Sequence, residues 1–185
     1  VKAKPQTGYR RLLDSCCYNN PNYAWELICS PDANSPDIYF GVQTGIGISN
    51  GSWQGFTLPN VLNNAWNHVA IVRIGNVVKG YVNGNYVSEV TLSVNNRNLN
   101  YITPIIIGAY KDPASATYNS QFTGKISNVF IIKNALYNSD FEPKDFPKIN
   151  RWYIPADGGA YSYPSLLTCH ADALWDAGQY LTLTT

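Results

Sequence analysis

Methionine is absent from the 185 residues, charged side chains make up only 14%, and there are just three glutamates and two histidines. Each shortage excludes something. With 13 Lys+Arg against 12 Asp+Glu the net charge is +1, so neither nucleic acid nor an anionic membrane has an electrostatic reason to bind. No apolar run approaches the roughly 20 residues that span a bilayer, and no signal peptide opens the chain. A chain without Met that opens on Val1, in what reads as strand, is expected to be a piece of a longer polypeptide. The four cysteines match neither a zinc motif nor a small disulfide scaffold: Cys16 and Cys17 are adjacent, Cys29 follows, and Cys169 is remote. Buried or free thiols are one reading, and a bridge from Cys29 to one of the adjacent pair is the other.

What the chain does have is 14 Tyr, 14 Gly and abundant Asn, the composition of short strands joined by tight turns. The run at 66–73 is β-branched and ends at Gly75-Asn76. Val77 to Val82 follows, Asn83-Gly84 breaks again, and Tyr86 to Leu92 resumes, which predicts a three-strand meander. Residues 24–29 and 37–42 read as two strands, and 103–108 as a strand buried on both faces. Residues 122–133 alternate as one long strand, and 135–137 as a single helical turn. Even spacing of this kind predicts an all-β, antiparallel two-sheet sandwich with Trp25, Phe40, Val69, Ile71, Val82, Ile106, Ile126 and Phe130 in its core. Trp66 is expected there too.

Several of these segments also resemble a known family. Trp66-Asn-His-Val-Ala-Ile-Val-Arg73, Gly80-Tyr-Val-Asn-Gly84, Ile106-Ile-Gly108 and Phe122-Thr-Gly-Lys-Ile-Ser-Asn-Val129, in that order, are similar to the laminin-G-like branch of the concanavalin A-like lectin/glucanase superfamily. Ala135-Leu-Tyr-Asn-Ser-Asp-Phe-Glu-Pro143 resembles the closing segment of such domains in bacteriophage and cyanophage virion proteins, and Ser165-Leu-Leu-Thr-Cys-His170 the linker between them. The resemblance implies a jelly-roll sandwich over residues 1–148 and an extended C-terminal arm over 149–185 that contributes a strand. It implies a non-catalytic structural or adhesion module of a virion or extracellular surface assembly, such as a tail fibre, decoration protein or filament subunit. The expected partners are neighbouring copies in a homo-oligomer. The alternative is a lectin-like domain for surface or matrix glycans. The front of the chain lacks the family's first strand, whereas the period-2 tail carrying Gln179, Tyr180, Leu181 and Leu183 resembles it. That tail is expected to pair with its own sheet or a neighbour's.

Chemistry is sparse. The family's glucanase pattern Glu-x-Asp-x-x-Glu is missing, and the glutamates are Glu26, Glu89 and Glu142. Asp140 and Glu142 have workable spacing but read as solvated turn carboxylates, so no hydrolysis is expected. His68 reads as a packed strand histidine, and His170 beside Cys169 lacks the further ligands zinc needs. No cofactor is expected. Calcium is conceivable at a rim loop through Asp112 and Asn119, although Ser127-Asn128 stands where many relatives carry an acid. A sugar platform needs an exposed aromatic ring flanked by amides or carboxylates. Trp53 in Asn50-Gly-Ser-Trp-Gln-Gly55 fits, as do Tyr110, Asp112, Tyr118 and Asn119, with packing on loops or at a protein interface the plainer role for each.

Overall fold

The computed structural model describes residues 1–15, 25–43, 53–92, 105–111, 117–132, 134–143 and 164–168. Strands β1 (Arg11–Asp14), β2 (Trp25–Cys29), β3 (Ile38–Gln43) and β4 (Trp53–Leu58) are followed by β5 (Val69–Ile74), β6 (Val77–Val82) and β7 (Asn85–Thr91). Four short strands come next, β8 (Ile106–Ile107), β9 (Tyr110–Lys111), β10 (Tyr118–Asn119) and β11 (Val129–Ile132), and β12 (Pro164–Thr168) is last. A five-stranded antiparallel sheet, in the order β4-β3-β2-β1-β8, faces the three-stranded sheet β5-β6-β7; β9 pairs with β10, and β11 with β12. No helix occurs among the described residues, and none is long and apolar enough to cross a membrane.

The meander forms because its turns are local and chemically suited. Asn83 and Gly84 both hold positive φ, 52° and 82°, the pair of values a two-residue hairpin loop asks for. Between the sheets lie Leu27, Cys29, Ile38, Phe40, Val42, Phe56, Leu58 and Val78, all buried. Phe40 and Phe56 meet with ring centroids 5.5 Å apart. The layers approach closely at Gly80, where a Cβ atom would collide with the Phe56 ring and stand 2.7 Å from Leu58 Cδ2. Glycine is therefore a packing requirement of β6.

Of the eight expected core residues, Phe40 is fully buried, whereas Trp25, Val69, Ile71 and Val82 are partly buried and pack against the core cluster. Ile106, Ile126 and Phe130 are half-buried. Trp66 is not core: it precedes β5, where no sheet constrains its direction, and is 53% exposed. The run at 122–133 does not form one strand, because Asn128 takes φ 53° and breaks the extended backbone; Lys125 makes an isolated bridge to Lys2, and Val129–Ile132 forms a strand. Of the expected 103–108 strand, Ile106–Ile107 form β8 at the sheet's edge, residues 103–104 lying outside the described residues, and the expected turn of helix at 135–137 is irregular. Cys29 is a free, fully buried thiol, and burial pushes its pKa up to about 12, which makes it chemically inert.

The segment 134–143 straps the hairpin. Asp140 Oδ1 accepts the Tyr86 amide at 2.7 Å, Phe141 N donates to Gly84 O at 2.9 Å, and Lys79 Nζ reaches Asn138 O at 3.1 Å. Phe141 stacks on Tyr137 with centroids 3.5 Å apart and meets the His68 ring in a T-shaped contact, with centroids 5.6 Å apart. His68 is thus a packed strand-end histidine whose pKa burial lowers. Asp140 is an exposed turn carboxylate with a structural hydrogen bond, and Glu142 is exposed beside it.

Candidate functional site

The outer face of the five-stranded sheet carries an arrangement that periodicity conceals. β1 and β2 pair Arg11↔Ile28, Leu13↔Leu27 and Asp14↔Glu26, with an irregularity between Arg11 and Leu13. Leu12 is therefore an extra residue, a β-bulge. Residues three apart normally point to opposite faces of a strand. The bulge restores Arg11 and Asp14 to the same side, where Glu26 also lies. Arg11 Nε stands 3.0 Å from Asp14 Oδ2, and Nη1 stands 2.9 Å from Glu26 Oε2. Both contacts are at ion-pair distance but miss the alignment of a hydrogen bond. Asp14 is 0% exposed and Glu26 7%.

One cation thus serves two buried carboxylates. Burial is the chief reason the Glu26 pKa is raised to about 7; Arg11 opposes the rise and Asp14 adds to it. Tyr110, on β9, places its ring centroid 5.7 Å from the Arg11 guanidinium carbon, a cation–π contact.

Across the sheet the register continues Asp14↔Glu26, Glu26↔Gly41 and Gly41↔Gly55, so two glycines follow the two acids on one row. Rings fill the space the glycines leave. A Cβ atom on Gly41 would stand 3.0 Å from both Trp53 Cε3 and Tyr39 Cε1, and one on Gly55 would stand 2.7 Å from the Tyr39 hydroxyl. Trp53 remains 39% exposed. The Tyr39 pKa is raised, first by burial and then by the negative charge of Glu26. The result is an aromatic platform bordered by a buried ionic cluster.

Residues 1–140 match the Laminin_G_3 family, described as the concanavalin A-like lectin/glucanases superfamily. The chain belongs to that superfamily. No curated protein matches this laminin-G-like chain. Among solved structures it is similar to an S-layer domain-containing protein (residues 221–444) from Clostridium thermocellum, at 24% identity and a TM-score of 0.34. The match covers 71% of the laminin-G-like chain and 60% of the S-layer chain.

Of the site residues foreseen from sequence, the laminin-G-like fold places Trp53 at the start of β4, on the platform. Tyr110 lies beside Arg11, on β9. Tyr118 and Asn119 form β10, with registers Tyr118↔Lys111 and Asn119↔Tyr110, and both are exposed. Tyr110 and Asn119 are thus brought together as a cross-strand pair. Asp112 and the tail residues Gln179, Tyr180, Leu181 and Leu183 lie outside the described residues. Among those that are described, no group of three or more His, Cys, Asp or Glu side chains could hold a metal ion. The sequence reading missed Arg11, Asp14 and Tyr39. A long-range bulge and pairing bring them together, and the one local hint was Gly41 and Gly55 in otherwise bulky strands.

Proposed function

We propose that this chain is a non-catalytic binding module of an extracellular or virion surface assembly, and that it binds glycan on the outer face of the five-stranded sheet. The carrying observation is Trp53, exposed and seated with Tyr39 over Gly41. An exposed indole offers the flat apolar surface that the C–H face of a pyranose stacks on. The family's own description joins lectins with glucanases, both carbohydrate proteins, which supports the ligand class. A binding rather than hydrolytic role is supported by Asp14 and Glu26, which share one guanidinium beneath the surface. A glycosidase instead holds its two carboxylates on either side of the scissile bond. Trp53→Ala is expected to weaken binding of β-glucan oligomers about 10- to 100-fold in calorimetry, a loss of roughly 1–3 kcal/mol, with the circular dichroism spectrum unchanged. Equal affinity for both proteins would sink the platform. Release of reducing ends from laminarin, carrageenan or alginate, abolished by Glu26→Gln, would overturn the non-catalytic role.

A second reading, assembly with neighbouring copies as in a tail fibre, decoration protein or filament, is favoured by β12. This strand lies beyond the family match yet adds to β11 in the registers Val129↔Thr168, Phe130↔Leu167 and Ile131↔Leu166. Strand addition of this kind joins one chain to another as readily as it closes a single chain. Removing residues 164–185 is expected to abolish oligomers in size-exclusion chromatography while a single cooperative thermal transition persists. If the transition itself disappears, β12 closes its own domain and does not assemble copies.

A further inference from the structure

We infer that Tyr39 is the specificity-determining residue of the platform: its hydroxyl donates to an equatorial hydroxyl of the pyranose stacked on Trp53, so the platform selects all-equatorial sugars over their axial epimers. The inference rests on the platform reading of Trp53 and adds the configuration of the sugar to it.

Strand geometry places the hydroxyl. Tyr39 and Gly41 are alternate residues of β3, and Trp53 and Gly55 alternate residues of β4, with Gly41 paired to Gly55, so all four share the outer face. The two rings converge on the glycine pair from opposite ends. Trp53 Cε3 and Tyr39 Cε1 each lie 3.0 Å from the point that a Gly41 Cβ would occupy, so the ring edges are at most twice that distance apart. The Tyr39 hydroxyl reaches further, across to β4, and lies 2.7 Å from the Cβ position of Gly55. Gly55 is one side-chain position along β4 from Trp53, about 7 Å. A pyranose stacked on the indole therefore turns its rim toward that hydroxyl. Among the described residues the hydroxyl has no hydrogen-bond partner, and it is not sealed from solvent. Burial, and then the charge of Glu26, raises the Tyr39 pKa, so the O–H keeps its proton and can donate.

A donor at the rim distinguishes configurations. Equatorial hydroxyls project from the edge of a pyranose, whereas an axial hydroxyl projects from one of its faces. An all-equatorial ring offers the indole a face of C–H groups alone and turns a hydroxyl outward to Tyr39. An axial epimer either wedges its hydroxyl against the indole or points it into solvent, and in both cases the Tyr39 donor loses its partner. A site that hydrogen-bonds a ligand hydroxyl rejects the analogue lacking it, because its own polar group is then left unpaired.

Calorimetry on the full chain with β-linked tetramers of glucose, mannose and galactose tests this. Wild type is expected to bind the glucan at least about three-fold more tightly than either epimer. Tyr39→Phe keeps the ring and should weaken glucan binding about 3- to 10-fold. Its affinity for the two epimers should stay within about two-fold of wild type, so the preference shrinks with the lost hydroxyl. A Tyr39→Phe variant that binds glucan as wild type does overturns the inference. So does one that weakens all three sugars equally, as a ring needed only for packing would, and so does a wild type that prefers an axial epimer. Binding of no tetramer, or binding that survives Trp53→Ala, removes the platform reading itself and the sugar selection with it.

Discussion

Replacing Arg11 with leucine is expected to destabilise the protein by about 3–5 kcal/mol at pH 8, the largest effect of any single change on the outer face. The guanidinium is the shared partner of Asp14 and Glu26, at 3.0 and 2.9 Å. Leucine would leave both carboxylates buried without it, Asp14 at 0% and Glu26 at 7% exposure. Removing one partner of a buried ion pair costs far more than the net worth of the pair, because the desolvation penalty is no longer offset by the guanidinium. The cost should fall at pH 5, where Glu26 takes up a proton. Urea titrations of both proteins at the two pH values measure this directly. A midpoint shift no larger than that of a surface substitution would mean that the cluster is solvated in solution.

Glu26→Gln should act in the opposite direction. Burial raises the Glu26 carboxyl from its ordinary 4.5 to about 7 in the folded chain, so the native state holds the proton more tightly than the unfolded state does. The corresponding stability is fully present below pH 4.5 and is lost as pH rises through about 7. The difference amounts to roughly 3 kcal/mol at pH 8. Glutamine keeps the shape and an oxygen toward Arg11 but has no proton to lose. The variant should match wild type near pH 4.5 and exceed it in melting temperature at pH 8 by several degrees. Wild type should be less stable at pH 8 than at pH 5. Parallel stability–pH curves for the two proteins would show that Glu26 titrates normally in the folded state.

Much of the sandwich was legible because its signals are local. The meander β5–β7 needed only β-branched runs and Asn83-Gly84, whose positive φ values the side-chain chemistry announces. Phe40 was correctly placed in the core, since alternation along a paired strand is enforced by its neighbours. The failures share a cause. Residues 122–133 alternate perfectly as letters, yet nothing in the letters says that Asn128 turns to φ 53°. Trp66 looked apolar enough to bury, but precedes the strand that would have aimed it inward. In the candidate site Trp53 could be found, because an indole among glycines is conspicuous. Arg11, Asp14 and Glu26 could not, because their meeting depends on a one-residue bulge at Leu12 and on strands separated by a long connection.

The polar network around Asn67 has a consequence for chemical ageing. An asparagine followed by glycine ordinarily loses its amide nitrogen when the next backbone nitrogen attacks the side-chain carbonyl, and Asn83-Gly84 is such a pair. Here the Asn83 amide is gripped at both ends: Nδ2 donates to Asn67 Oδ1 at 2.9 Å, and Oδ1 accepts the His68 amide at 2.8 Å. Asn67 is itself anchored, donating to Val61 O at 2.9 Å and Asn63 Oδ1 at 2.8 Å. The side chain cannot swing to meet its attacker while these bonds hold, and Gly84 is pinned under the Phe141 carbonyl. Conversion of Asn83 to aspartate or isoaspartate therefore requires the hairpin to open. Such a lesion in an aged sample would record how long each molecule had spent unfolded.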